Sequence, residues 1–199
     1  MSSQRLRCPL RNTPEEADAA LALQAAAGDR DAFGALVQRY QAAVRRLTRG
    51  VTGDAHDADD AAQDAFLSAL DRIETYDPSR PFGPWLMRIA TNAAIDLVRR
   101  RAVRRADALD ERAPSRTPSP VTYAEGAEVR GKLFAALAGL PERQRVAVTL
   151  FDVEGYSHAE IAAVLKIPEG TVRSDVFHAR RTLRVALAVY DPRFWMEEP

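Results

Sequence analysis

Three groups of side chains have the types and spacing to do chemistry or recognition. Asp57, Asp59 and Asp60 crowd the stretch after Gly53, and carboxylate oxygens are the donors that Mg²⁺ or Ca²⁺ prefers. A calcium loop needs alternating ligands, a glycine at its sixth position and a closing glutamate, and Asp57-Ala58-Asp59-Asp60-Ala61 has no such glycine. His56-Asp57 has the form of a metal phosphohydrolase pair, but His56, His158 and His178 are the only histidines and leave the remaining ligands unsupplied. There is no Walker loop, Gly-rich dinucleotide turn or nucleophile arrangement. The residues therefore call for no catalytic group, metal or cofactor.

The second group is Arg173, Ser174, Phe177, His178, Arg180 and Arg181, residue types that read groove edges and hold phosphates. The third is a charge split. Asp54, Asp57, Asp59, Asp60, Asp64, Asp71 and Glu74 stand against Arg72 alone, whereas Arg88, Arg99, Arg100, Arg101, Arg104 and Arg105 stand against Asp96. Totals of 28 basic and 28 acidic residues hide both poles. An acidic helix beside a basic one suits two partners, a basic protein surface and a nucleic-acid backbone. Solvated helix faces carry similar runs, and arginines near a helix end also suit its dipole.

Helices must position all three groups. Phe33, Leu36, Val37, Tyr40, Val44 and Leu47 step along one helical face. After Gly53 a second helix turns Ala62, Phe66, Leu70 and Ile73 inward, its acids in the first turns where the dipole favours them. Asp77-Pro78 and Arg80-Pro81 break the pattern, and Pro84 starts a third helix carrying Trp85, Ile89, Ala93 and Leu97 inward. Farther on, Val129 to Leu140 is helical, Pro141 restarts a helix through Phe151, and Gly155 ends it.

Ser157-His158-Ala159-Glu160 is a capping box that opens a short helix through Leu165. A turn through Lys166-Ile167-Pro168-Glu169 leads into a second helix reaching about Leu187, with Val172, Val176, Ala179 and Leu183 buried. Two helices at this spacing make a helix-turn-helix, whose second helix enters the major groove. An amphipathic helix pair with a solvated basic face would show the same stripe, but it does not require the cap and the Gly-Thr-Val-Arg-Ser restart together.

The fold class is all-α, two small helical domains joined by a flexible linker. The divisions are an N-terminal extension at 1–27, a first domain at 28–105, a Pro- and Ser-bearing linker at 106–125, a helix-turn-helix domain at 126–190 and a tail at 191–199. The lone Cys8 cannot form an internal disulfide, and no apolar stretch suits a signal peptide or membrane helix. A soluble, cytoplasmic protein is expected, without membrane insertion.

Two sets of motifs carry a family resemblance. Asp57-Ala58-Asp59-Asp60-Ala61-Ala62-Gln63-Asp64-Ala65-Phe66-Leu67, then Phe82-Gly83-Pro84-Trp85-Leu86-Met87-Arg88-Ile89-Ala90-Thr91-Asn92 and the arginine run, resemble region two of extracytoplasmic-function (ECF) sigma factors. Leu140-Pro141-Glu142-Arg143-Gln144-Arg145, Gly155-Tyr156-Ser157, Glu160-Ile161-Ala162 and Gly170-Thr171-Val172-Arg173-Ser174 resemble their region four.

The resemblance implies that Asp57, Asp59, Asp60 and Gln63 grip the beta-prime coiled coil of core RNA polymerase. It implies that the Tyr76-to-Phe82 stretch, Trp85 and Asn92 capture an extruded minus-ten base, with Arg99, Arg100, Arg104 and Arg105 on phosphates. Arg173, Ser174, Phe177 and His178 would meet the minus-thirty-five duplex. Promoter DNA and an anti-sigma factor are the further expected partners, and the biology would be a stress response. Asp175 departs from the basic residue often found there, so it would have to pair with an arginine or accept from a cytosine amino group. Two readings stay open beside this one: a stand-alone helix-turn-helix regulator and a metal-dependent phosphohydrolase using His56 and Asp57.

Overall fold

The computed structural model describes residues 15–108 and 126–187. Among them are eight α-helices and no strand. In chain order these are α1 (Glu15–Ala26), α2 (Arg30–Thr52), α3 (Ala55–Asp71), α4 (Phe82–Ala108), α5 (Gly126–Ala138), α6 (Glu142–Val148), α7 (His158–Leu165) and α8 (Glu169–Leu187). A 3₁₀ turn, Ile73–Thr75, follows α3, and a π-helical turn, Thr149–Val153, extends α6.

Local chemistry explains where the first helices start and stop. The Asp29 carboxylate accepts from the backbone N–H of Asp31 and Ala32 at the head of α2, and Asp54 does the same for His56 and Asp57 at the head of α3. Between them the chain turns at Gly53, whose φ of 74° lies in the left-handed region that glycine enters without cost.

The buried faces differ from the expected ones in a consistent way. On α3 the inward stripe is Ala58, Ala61, Ala62, Ala65 and Ala69. Phe66 is half-buried and Leu70 is exposed, so the helix is rotated from the face its larger residues mark. Alanines let α2 and α4 approach α3 closely, and burial of many small contacts replaces a few large ones. On α4 Ile89 is buried as expected, but Trp85, Ala93 and Leu97 are only partly so, and Phe82, Leu86, Met87, Ala90 and Ala94 fill the core instead.

The two halves do not stand apart. Val146, Ala147, Leu150, Ile161, Val164, Val172 and Val176 belong to the same apolar cluster as Leu36, Val44, Leu47 and Leu86. A smaller cluster of Leu137, Leu140, Val148, Ala179 and Leu183 joins α5, α6 and α8. At the seam, a Cβ added to Gly50 of α2 would lie 2.8 Å from Thr149 Oγ1, so only glycine permits this approach. Polar clasps reinforce it: Arg46 donates twice to Glu154 at 2.8 Å, Arg145 donates to the Val51 carbonyl at 2.7 Å, and Arg99 reaches Glu142 at 2.9 Å.

Within the segment expected as an N-terminal extension, the described helix α1 packs Ala22 and Ala25 into the main core. The helix α4 continues through Ala108, past the expected start of the linker. The rest of that linker and the tail at 191–199 lie outside the described residues. No helix among the described residues is long and apolar enough to cross a membrane.

Candidate nucleic-acid interface

The helix-turn-helix is built from its caps. Ser157 Oγ accepts from the Glu160 N–H at 3.3 Å, while the Glu160 carboxylate accepts from the Ser157 N–H at 2.7 Å. At the other end of α7, Lys166 takes a left-handed conformation (φ 55°) and donates its N–H to the Ala162 carbonyl. That conformation costs a non-glycine residue about 1 kcal/mol, and it turns the chain sharply enough for α8 to begin three residues later. Ile167 packs against the core at this corner.

Burial of Val172, Val176, Ala179 and Leu183 follows the expected stripe on α8. It leaves Arg173, Ser174, Phe177 and His178 exposed over the first three turns. Phe177 is 64% exposed, with its ring edge-on to His178 at 5.5 Å. Arg173 donates to Glu169 one turn earlier at 2.6 Å, a surface pair weak enough to exchange for another acceptor. Arg181 is exposed on the same helix.

Two charged residues of α8, Arg180 and Asp175, are held by partners within the protein. Arg180, expected at phosphates, forks onto Asp152 and lies over the Phe151 ring at 4.9 Å. It thereby ties α8 to the π-helical turn. Asp175 is 3% exposed and accepts from Arg143 at 2.6 and 3.2 Å. Of the two outcomes open to this carboxylate, arginine pairing is the one realised, and Asp175 faces the domain core instead of a base. Its hydrogen bonds hold the Arg143 guanidinium above its ordinary pKa.

The set assigned to the minus-ten element is split between core and surface. Phe82 and Tyr76, at 1% and 7% exposed, are core residues in this structure. Phe82 packs edge-on to Tyr40 and Tyr76, with centroids 5.4 and 5.3 Å away, and half-buried Trp85 tilts against Tyr76 and Phe82. The Tyr76 hydroxyl donates to the Arg80 carbonyl at 2.6 Å, closing the loop between them. Asp77 accepts from the Ser79 hydroxyl and N–H, which lowers its pKa. What the cluster does is hold the loop.

Asn92 is exposed and lies with Trp85, Arg88 and Thr91 on one wall of a cleft of about 440 Å³. Arg143, Val164 and Lys166 of the helix-turn-helix half form the opposite wall. Arg99, Arg100 and Arg104 are exposed farther along α4, Arg99 paired with Glu142 and Arg100 donating to the Asp96 carbonyl at 3.3 Å.

The acidic set is also divided. Asp59, Asp60 and Gln63 are exposed on α3, Asp59 meeting Arg45 at 2.7 Å and Asp60 facing His56 at 3.4 Å. Asp57 is half-buried and bonded to Arg101, so it ties α3 to α4 instead of joining the outer face. Leu67, 53% exposed, extends that face toward the C-terminal end of α3. No group of three potential metal ligands exists among the described residues.

Sequence reasoning missed the pairings of Asp18 with Tyr40, Arg46 with Glu154 and Arg143 with Asp175, which join residues 22, 108 and 32 positions apart and follow from no local pattern.

The arrangement defines a class: an all-helical protein with a capped helix-turn-helix, an exposed basic recognition face and a separate acidic helix. Its sequence matches the family model for sigma-70 region 2 over residues 36–104 and that for sigma-70 region 4 over residues 130–183. The ECF RNA polymerase sigma factor SigE of Mycolicibacterium smegmatis is 38% identical over 181 residues, covering 88% of this chain and 70% of that protein. The corresponding SigW of Bacillus subtilis is 30% identical over 173 residues, covering 80% and 91%. Among solved structures, CnrH in complex with the cytosolic domain of CnrY superposes with a TM-score of 0.68 at 31% identity, covering 88% of this chain and 99% of that one. The chain belongs to the sigma-70 family and is an ECF sigma factor. The family consists of initiation subunits and not of enzymes, which leaves the regulator and phosphohydrolase readings without support.

Proposed function

We propose that the chain binds core RNA polymerase through the exposed face of α3 and directs it to promoters by two DNA contacts. In this reading Asp59, Asp60 and Gln63, with Leu67 beside them, meet the beta-prime coiled coil. Arg173, Ser174, Phe177 and His178 enter the major groove of the minus-thirty-five element, with Arg181 on phosphate. Trp85, Asn92 and the Tyr76-to-Phe82 loop receive an extruded minus-ten base, and Arg99, Arg100 and Arg104 follow the backbone. Binding energy alone drives melting, because a base held by stacking and edge hydrogen bonds no longer returns to the duplex.

The observation that carries this reading is the sorting of α8. Val172, Asp175, Val176, Ala179 and Leu183 are buried, while Arg173, Ser174, Phe177 and His178 on its first three turns face solvent. The docked halves add a regulatory element. Asn92 lines a cleft whose other wall is Arg143, Val164 and Lys166, so parting of the halves would widen a strand's path to it. An anti-sigma factor that holds them together would silence the protein, and CnrH, similar in fold and sequence, is likewise found in complex with a partner, the cytosolic domain of CnrY.

The experiment is reconstitution of the purified chain with core polymerase on a promoter library, with transcripts sequenced. Promoter-specific transcripts should depend on both components, and reversing charge at Asp59 and Asp60 should weaken core binding in a salt-dependent way. Tight, specific duplex binding by the chain alone, or unchanged core affinity for the reversed variant across a salt series, would count against the assignment.

A further inference from the structure

The first helix, α1, lies ahead of the matched region-two segment and carries one carboxylate that apolar packing does not explain. Asp18 is 2% exposed. Its Oδ2 accepts from the Tyr40 hydroxyl at 2.6 Å, and its Oδ1 accepts from Arg39. Burying a carboxylate is costly unless it is paired and hydrogen-bonded, and here both conditions are met by two consecutive residues of α2. Burial, with the Asp18 bond next, pushes the Tyr40 hydroxyl well above its usual pKa, so it remains a donor.

The bond leads somewhere. The Tyr40 ring meets Phe82 edge-on at 5.4 Å, and Phe82 meets Tyr76 and Trp85 at 5.3 Å each. Tyr76 in turn closes the loop through the Arg80 carbonyl. The Tyr40 hydroxyl lies 3.5 Å, and that of Tyr156 2.9 Å, from where a Cβ on Gly83 would stand, so both tyrosines abut the first turn of α4. A rotation of the Tyr40 ring would move Phe82 and with it both ends of the loop between Tyr76 and Phe82.

We propose that Asp18 is a positioning residue for promoter opening: by fixing Tyr40 it sets the aromatic cluster that holds the Tyr76-to-Phe82 loop and Trp85 in base-receiving geometry. This rests on the reading of that loop as the minus-ten base receiver. It gives α1 a task distinct from core binding, which uses the outer face of α3.

The test is the rate at which holoenzyme exposes minus-ten thymines to permanganate on a duplex promoter. Asp18→Asn keeps the side-chain shape and loses the charge. It should slow opening about tenfold, the effect of one charge-assisted hydrogen bond, with core affinity and minus-thirty-five binding unchanged. Tyr40→Phe should reproduce that loss even if Asp18→Asn folds poorly, and the double variant should be no slower than either single one. A chain with residues 77–80 replaced by glycine separates the two ideas. If it opens promoters at the wild-type rate, the loop reading falls and the positioning role with it. If it is slow while Asp18→Asn and Tyr40→Phe are both normal, the positioning role alone is overturned. In Tyr40→Phe, loss of core affinity or of thermal midpoint in step with opening would equally overturn it, by reducing the Asp18–Tyr40 bond to a folding contact.

Discussion

At the scale of single residues, α8 shows how partner choice divides like charges into different tasks. Arg173 keeps only an exposed i, i+4 pair with Glu169, whereas Arg180 is forked onto Asp152 and stacked on Phe151. The sequence marks both as outward arginines, and their separate fates depend on a turn 20 to 30 positions away that no helical period reveals. An arginine at the start of a recognition helix can donate two parallel bonds to a guanine, worth about 1–3 kcal/mol of discrimination. Arg173→Ala should therefore relax base preference at one or two positions of a randomised minus-thirty-five library. Arg181→Ala should weaken all sequences alike and flatten the salt dependence. Asp175→Asn should leave the preference profile unchanged and lower stability instead, because its carboxylate faces Arg143 and the core. A profile altered by Asp175→Asn would restore this residue to the DNA surface.

At the scale of elements, caps were legible and packing faces were not. Ser157 and Glu160 form the expected box, and Gly53 turns the chain as expected, since both signals act within a few residues. The rotation of α3 onto an alanine face was hidden, because hydropathy weights Phe66 and Leu70 above the small residues that let helices close together. Gly50 is the same lesson at a seam. In a lone helix, Gly50→Ala would favour α2 by roughly 0.5–1 kcal/mol through backbone entropy. Here the new methyl meets Thr149 Oγ1 at 2.8 Å and Cγ2 at 2.9 Å, and overpacking of that kind costs about 1–3 kcal/mol. The expected outcome is a chain whose π-helical turn exchanges amide hydrogens faster while α2 itself exchanges no faster. Adding Thr149→Ala should return the turn to slow exchange. Uniformly slower exchange in the single variant would mean the seam has room to spare.

At the scale of the whole molecule, the two opposed charge poles and the two motif sets could be read from the chain, but the docking of its halves could not, since its polar clasps join residues 43 to 108 positions apart. Arg46 and Glu154 are the clearest of these: the glutamate side chain is fully buried and the arginine 40% exposed. Burial raises the Glu154 pKa, and the Arg46 hydrogen bonds pull it part of the way back. The two partners are therefore not equivalent. Glu154→Gln removes a charge that the docked state holds at a cost, so docking should weaken by less than about 1 kcal/mol. Arg46→Ala removes the guanidinium forked onto a buried carboxylate and should weaken docking by roughly 2–3 kcal/mol at neutral pH, somewhat under the usual loss for a fully buried pair because Arg46 is partly solvated. The pH dependence supplies the sign. Without Arg46 the Glu154 pKa rises further, so the docked state binds a proton that the parted state releases. The deficit must then be full above the raised value and shrink as pH falls through it toward the ordinary glutamate range. Energy transfer between dyes on α3 and α8, followed from about pH 8 to about pH 5, should show Arg46→Ala closing progressively as acid is added while Glu154→Gln stays flat. A deficit in Arg46→Ala that does not change with pH would mean that Glu154 leaves the seam once its partner is gone, and that the apolar contacts around Thr149 and Leu150 hold the halves together without it.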